Sequence, residues 1–359
     1  MDLDDIAMLR LYNQQIAAPV FKTVNEIVSW LGAVQAQDYN MSEWAVGVRL
    51  PGSTTETVKS AINSGEIIRT HVLRPTWHLV SAADIYWMLE LSAPQIRSLS
   101  RSRDKELGLT ETAINRSNTI LEKALRDNRH LTREELVKLL ADAGYSNDNN
   151  RVSHILIRAE IEGIITSGKI RNGKQTYALL AERVPDKKTM SREEAAVELA
   201  RRYFTSHGPA SLHDFIWWSG LPVKDCRHAV ETIKLSFDSE KSGEETYYFA
   251  PFITVPKLEK KQVVLLPAYD EFIISYKNRR ASLPFENQIR AVLVNGIFRP
   301  VIVHNGKVIG IWKRTLKNDN VIPETEYFGS PDKTTKKQVN ESLKHYAKFL
   351  GKNIVFADK

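Results

Sequence analysis

A chain of 359 residues, 42% hydrophobic and 26% charged, has the composition of an ordinary globular protein and enough length for two to four packed cores. No run reaches the roughly 18 consecutive apolar residues that cross a bilayer, the acidic start Met1-Asp2-Leu3-Asp4-Asp5 lacks the build of a secretory signal, and the single Cys226 excludes an internal disulfide framework and a cysteine-based zinc cluster. The net charge of +7 is compatible with a polyanionic partner if the excess is clustered on one face. A cytoplasmic protein, without a cofactor, metal or membrane association, is the expectation.

The first segment, 1–109, opens with Ile6, Leu9, Tyr12 and Ile16 at helical spacing. A second apolar stretch covers 24–31 and is broken by Gly32. A helix over Thr54–Ser64 stops at Gly65, suited to the left-handed position after a helix. Residues 67–74 and 76–80 read as two strands with Pro75 between them. The second segment, 110–185, repeats this order more plainly. Helices are expected over 113–128, from the capping pattern Thr132-Arg133-Glu134-Glu135 to about Gly144, and over 149–162. Two short strands follow, joined by the basic turn Lys169–Lys174. The third segment, 186–260, gives a helix from Ser191, a short helix capped by Ser211, a helix after Pro222 and a weak hairpin. The last, 261–359, has β-type runs at 263–267, 290–294, 300–303 and 307–312, hairpin signals at Asn295-Gly296 and Asn305-Gly306, and a helix over 334–350. The fold class is therefore mainly α with β (α+β): tandem winged helix-turn-helix modules followed by a C-terminal β-rich, barrel-like domain.

Helix 149–162 carries Val152, Ile155, Leu156 and Ala159 on one face, with Arg151, His154 and Arg158 beside it. That is how a recognition helix offers donors to a groove, and Lys169, Arg171 and Lys174 on the wing would reach flanking phosphates. Lys224, Arg227 and His228 give a weaker version in the third unit. Double-stranded DNA is the expected partner. In Gln35-Ala36-Gln37-Asp38 two amides one residue apart would face the same way in an extended segment; the bland alternative is a pair of surface or capping amides. Asp270-Glu271 resembles a glycosidase carboxylate pair, but adjacent strand residues face opposite sides. A fold-stabilising role, pairing with Arg279 or Arg280, is expected instead. Trp217 and Trp218 read as core beside a turn, and Cys226 as a small packing residue.

Ala33–Asp38 resembles the glutamine–aliphatic–glutamine motif of the AlkZ-like (YcaQ-like) DNA glycosylases, bacterial enzymes that unhook interstrand crosslinks. His71–Val80 is similar to that family's Arg-x-Thr-x-His-Leu-Val stretch. Leu265–Phe272 with Tyr276 and Arg279, Asn295–Pro300 and Gly310–Trp312 also match, so that the likeness spans nearly the whole chain. The resemblance implies a bacterial, nucleoid-associated, monomeric enzyme that encloses DNA and hydrolyses the N-glycosidic bond of N7-alkylated purines, crosslinked ones included. It implies Gln35 and Gln37 as the catalytic pair. Such a leaving base is already cationic, so no strong general acid is needed; one amide would stabilise the sugar cation and the other hold the attacking water. Asp38, His71, Arg74, Thr76 and His78 are implied as support, although Asp38 would point away from Gln37 in an extended segment, and the histidines could equally hold strand ends. A non-catalytic DNA-binding regulator and a protein-interaction scaffold are the competing readings.

Overall fold

Side-chain caps fix where the helices begin. In the computed structural model, which describes residues 1–251 and 263–356, Thr23, Thr54, Thr132, Ser191 and Ser211 each accept from the backbone N–H three residues on, and the side chain there accepts the N–H of the cap in return. Helix α1 (Leu3–Asn13) precedes α2 (Val24–Leu31), β1 (Val34–Gln35), α3 (Tyr39–Gly47), α4 (Thr55–Ser64), β2 (Ile67–His71) and β3 (Trp77–Ser81). After the long α5 (Ile85–Glu106) come α6 (Glu111–Leu125), β4 (Leu131–Thr132), α7 (Arg133–Asp142), α8 (Arg151–Ile161), β5 (Ile165–Ser167) and β6 (Thr176–Leu179). The short α9 (Leu180–Arg183) leads to α10 (Arg192–Ser206), β7 (Ala210–Ser211), α11 (Leu212–Ser219), α12 (Val223–Ile233), β8 (Asp238–Ser242) and β9 (Glu245–Phe249).

One order therefore occurs three times: helix, short strand, two helices, hairpin. Each short strand pairs antiparallel with the second strand of its hairpin, giving sheets ordered β1-β3-β2, β4-β6-β5 and β7-β9-β8. These two-residue strands are absent from the sequence expectation, because two residues are too few to show an alternation.

The C-terminal part comprises β10 (Val263–Leu266), α13 (Glu271–Ile274), α14 (Gln288–Ala291), β11 (Val301–His304), β12 (Lys307–Lys317), β13 (Asn320–Tyr327), α15 (Lys333–Phe349) and β14 (Asn353–Ile354). Its strands form one five-stranded sheet, β10-β11-β12-β13-β14, in which only β13 and β14 run parallel. The edge strands are not paired with each other, so the expected barrel is an open sheet with α15 packed on it. The run 290–294 is not a strand: Gln288–Ala291 is helical, and Val292 makes a single bridge to Phe298 across the Asn295-Gly296 turn. Asn305-Gly306 does join β11 to β12, with φ of 49° and 79° at the two turn residues. The division expected at 260/261 lies outside the described residues.

The first repeat is central to the packing. Its hairpin and α5 share a core with α10, α11 and α12, in which Met88 and Leu91 meet Tyr203, Phe215 and Trp218. Its α2, α3 and α4 share another with the C-terminal sheet and α15, where Trp44 meets Trp312, Tyr346 and Phe349. A Cβ on Gly47 would lie 2.4 Å from the Phe349 ring, so α3 and α15 touch at a position that only glycine fits. The segment from β1 to α3 is thus held between the third repeat and the C-terminal domain.

A buried ion pair marks this junction. Arg49 donates to both Asp270 oxygens, at 2.8 and 2.9 Å, and also to the backbone oxygens of Gln14 and Ala45. Both side chains are inaccessible to solvent. Asp270 therefore pairs with Arg49, not with Arg279 or Arg280, because it caps α13 and does not lie on a strand. Arg49→Met should lower unfolding stability by about 3–5 kcal/mol by leaving the Asp270 carboxylate unpaired. Adding Asp270→Leu should recover much of that loss in urea unfolding; equal losses in single and double variants would remove the pairing as the cause.

Candidate active site

Gln35 ends β1, opposite His78 in the antiparallel register with β3. The ladder continues one residue beyond the strand, where the Ala36 N–H donates to the Trp77 carbonyl at 2.7 Å. Arg69, from β2, closes on the other side: Nε and Nη2 both donate to the Ala36 carbonyl, at 3.1 and 2.9 Å, and Nη1 reaches Gln175 Oε1 at 2.6 Å. Both backbone groups of the motif's middle residue are thereby held. Gln35 is only 4% exposed, and its Oε1 accepts a long 3.4 Å bond from the Thr76 hydroxyl. Gln37 is exposed. Asp38 caps α3, accepting from the Met41 N–H at 3.1 Å.

Glu271 lies beneath this strand. Its Oε1 accepts the Gln35 backbone N–H at 2.6 Å, and its Oε2 accepts from Trp218 Nε1 at 3.1 Å and from the Ser275 hydroxyl. His207 Nε2 stands 3.7 Å from the same oxygen. Burial by itself would raise the pKa of this carboxyl; His207 and Ser275 outweigh that and hold it at about 2. A buried carboxyl whose pKa is held below its ordinary value therefore sits directly under the candidate motif. It comes from α13, where the sequence reading placed only a strand pair, and Trp218 belongs to the core as expected.

The β2–β3 turn completes the enclosure. Leu73 adopts a left-handed φ of 63°, and a Cβ added to Gly220 would come within 2.9 Å of the Leu73 carbonyl. The third repeat thus seats this turn through a glycine. Burial lowers the pKa of Arg74, and Glu271 opposes the shift. His78 is inaccessible, and its Nδ1 donates to the Thr76 carbonyl at 2.9 Å. Burial first, and then Arg74, push its pKa down to about 3, so it is a neutral ring.

Gln37 lines two clefts. The larger, about 970 Å³, runs between the first and second repeats and includes Tyr39, Arg69, His71, Trp77, Glu160 and Tyr177. The smaller, about 610 Å³, lies against the C-terminal domain, with Tyr269, Phe298, Arg299, Lys313 and Arg314. In the larger one the Arg69 guanidinium stacks 4.0 Å from the Trp77 ring, and His71 packs on that ring at 4.1 Å. His71 Nδ1 is bonded to the buried Glu160. Of these residues only His71 is expected at the site from the sequence. Arg69 and His71 share one side of β2 two residues apart, a spacing that could have signalled a polar face.

The expected nucleic-acid contacts divide. Arg158 is 4% exposed and donates to Asp104 and Glu111, which tie α8 to α5 and α6, and to Glu162 at the end of its own helix. A guanidinium so committed is not free for a groove. His154 bonds Asp104 at 3.0 Å from the same side, and Arg151 lies half-buried over Tyr145. Lys169, Arg171 and Lys174 are exposed on the wing. Arg171 pairs with Glu135, Lys174 lies 3.8 Å from Glu134, and Lys174 also lines the larger cleft. The side of α8 that faces this cleft is formed by Ser153, Leu156, Ile157 and Glu160, one step round from the predicted face. No helix of the described residues is long and apolar enough to cross a membrane.

A family model described as AlkZ-like DNA glycosylase matches residues 28–349. An interstrand DNA cross-link repair glycosylase from Streptomyces sahachiroi is 23% identical over 364 residues, which is 95% of each chain. The solved structure of the Streptomyces sahachiroi DNA glycosylase AlkZ matches with a TM-score of 0.81, covering 99% of this chain and 100% of that one at 20% identity. At that identity the structural likeness speaks for the fold.

The neutral His78 gives the fold a pH dependence. Its folded pKa of about 3 lies below the ordinary value of 6.5, so the unfolded chain binds the extra proton between those values. The contribution is complete above pH 6.5 and is lost as pH falls toward 3, at up to roughly 1.4 kcal/mol per pH unit. Urea midpoints measured at pH 7, 6, 5 and 4 should fall more steeply for the wild type than for His78→Asn. Parallel slopes would contradict a neutral buried ring.

Proposed function

The chain belongs to the AlkZ-like DNA glycosylase family, and from that membership we propose that it hydrolyses the N-glycosidic bond of N7-alkylated purines in duplex DNA, crosslinked ones included. We read the three repeats as winged helix-turn-helix modules of a monomer that holds the duplex. Family membership supports a DNA-repair glycosylase in general. The observation that carries the finer reading is the Gln35-Ala36-Gln37 segment, its middle residue clamped on both backbone groups, with one amide buried and the other on the rim of two clefts.

The chemistry follows from the leaving group. An N7-alkylated purine departs as a neutral base, taking the electron pair of the C1′–N9 bond. What needs stabilising is the cationic sugar, and fixed dipoles serve because they do not reorganise as charge develops. The two carbonyl oxygens of Gln35 and Gln37 supply such dipoles, and between them they stabilise the cation and hold the water. The Glu271 carboxylate adds negative potential below Gln35. Lys59 and Lys174, which reach the larger cleft, are flanked by Glu56 and Glu134. A hydrolytic, monofunctional reaction that leaves an intact abasic strand is the reading.

Wild type should release base from a duplex carrying one N7-methylguanine and leave an uncleaved abasic site. Gln35→Ala/Gln37→Ala should lose at least 100-fold in rate with duplex affinity unchanged. No release from that duplex or from a crosslinked one, with tight binding retained, would leave a non-catalytic DNA-binding protein.

A further inference from the structure

Two amides leave one proton unassigned. The attacking water must lose a proton as its oxygen bonds to C1′, and neither glutamine can accept it at neutral pH. Asp38 is the nearest carboxylate in sequence, but its oxygen caps α3.

The larger cleft contains an acceptor. His71 is buried except toward this cleft, whose lining it shares with Gln37. Nδ1 is bonded to Glu160, a carboxyl with no exposure to solvent, while Nε2 has no hydrogen-bond partner among the described residues. Trp77 packs on the ring and fixes its plane. A carboxylate behind one imidazole nitrogen and an open second nitrogen facing a substrate cleft form an acid–base pair in which the carboxylate orients the ring and stabilises the imidazolium that forms. Resting on the glycosylase reading, we propose that His71, backed by Glu160, is the general base that takes the proton of the attacking water. The C1′–N9 pair leaves with the base and cancels its charge. The water oxygen bonds to C1′, and its proton passes to His71 Nε2 and then to solvent.

Arg69, on the same strand, lies close enough to Glu160 to act on its charge, as does the Tyr177 hydroxyl of β6, and His78 lies close enough to act on His71. Glu56 and Lys59 of α4 line the cleft, as do Arg133 and Glu134 of α7, so that the signs there nearly balance. Burial raises the Glu160 pKa, and the neighbouring His71 and Arg69 oppose that rise without cancelling it.

The test is single-turnover release of N7-methylguanine across pH 5–9. Wild type should show an acid-side limb. His71→Gln should be about 100-fold slower and lack that limb, with duplex affinity and melting temperature retained. Glu160→Gln should move the limb to lower pH, and it reads the same limb should His71→Gln unfold. Asp38→Asn should keep the limb in place. Release by His71→Gln at the wild-type rate, or a slower rate with the limb unmoved, would overturn the assignment of His71 alone. No release by wild type from this duplex or from a crosslinked one would end the glycosylase reading and this assignment with it.

Discussion

The Glu271 carboxylate is the constraint on which the candidate site depends. A buried charge is tolerated only when its lone pairs are matched, and this one takes hydrogen bonds from Gln35, Trp218 and Ser275 with His207 alongside. Those partners come from three parts of the chain: the first repeat, the third repeat and the C-terminal domain. Aligning the motif strand is therefore inseparable from docking these parts together. Arg49–Asp270 acts one residue away in the same sense, since Asp270 starts the short helix that delivers Glu271. A two-residue strand has little register of its own, and these buried anions supply it.

Rigidity below contrasts with access above. Ala36 is bonded on both backbone groups, and Gln35 is nearly enclosed. Gln37 instead stands where the two clefts meet. The buried amide is thus fixed, and the exposed one borders open space on both sides. The second repeat contributes through the inner side of α8 and Tyr177, and its charged outer face serves internal packing through Arg158.

Much of the architecture was legible because it rests on local chemistry. Capping pairs such as Thr132 with Glu135, and Ser211 before α11, announce helix starts within four residues. The Asn305-Gly306 turn announces its hairpin. What was not legible depends on distant partners. Arg158 has the spacing of a groove-reading residue, and only the fold reveals the three carboxylates that consume it. Residues 290–294 have strand composition, yet Gln288–Ala291 turns helical where the chain leaves Pro284 and packs Ala291 inward. Glu271 and Glu160 are ordinary acidic residues in sequence; their roles arise from contacts with Gln35 and His71 that span 236 and 89 residues. The glutamine pair was found through its resemblance to a family motif, since composition alone does not distinguish it from surface amides.

On the proposed function, the Gln35–Gln37 segment meets a positive charge at the sugar. That complementarity is read from the affinity of wild type, and of the double alanine variant at these positions, for duplexes carrying a cationic pyrrolidine or a neutral tetrahydrofuran at one abasic position. A site complementary to the sugar cation binds the pyrrolidine at least 100-fold more tightly than the tetrahydrofuran, and the alanine variant loses that preference while binding tetrahydrofuran duplex as before. Equal affinity of wild type for the two duplexes, or a preference that survives loss of both glutamines, would contradict the account.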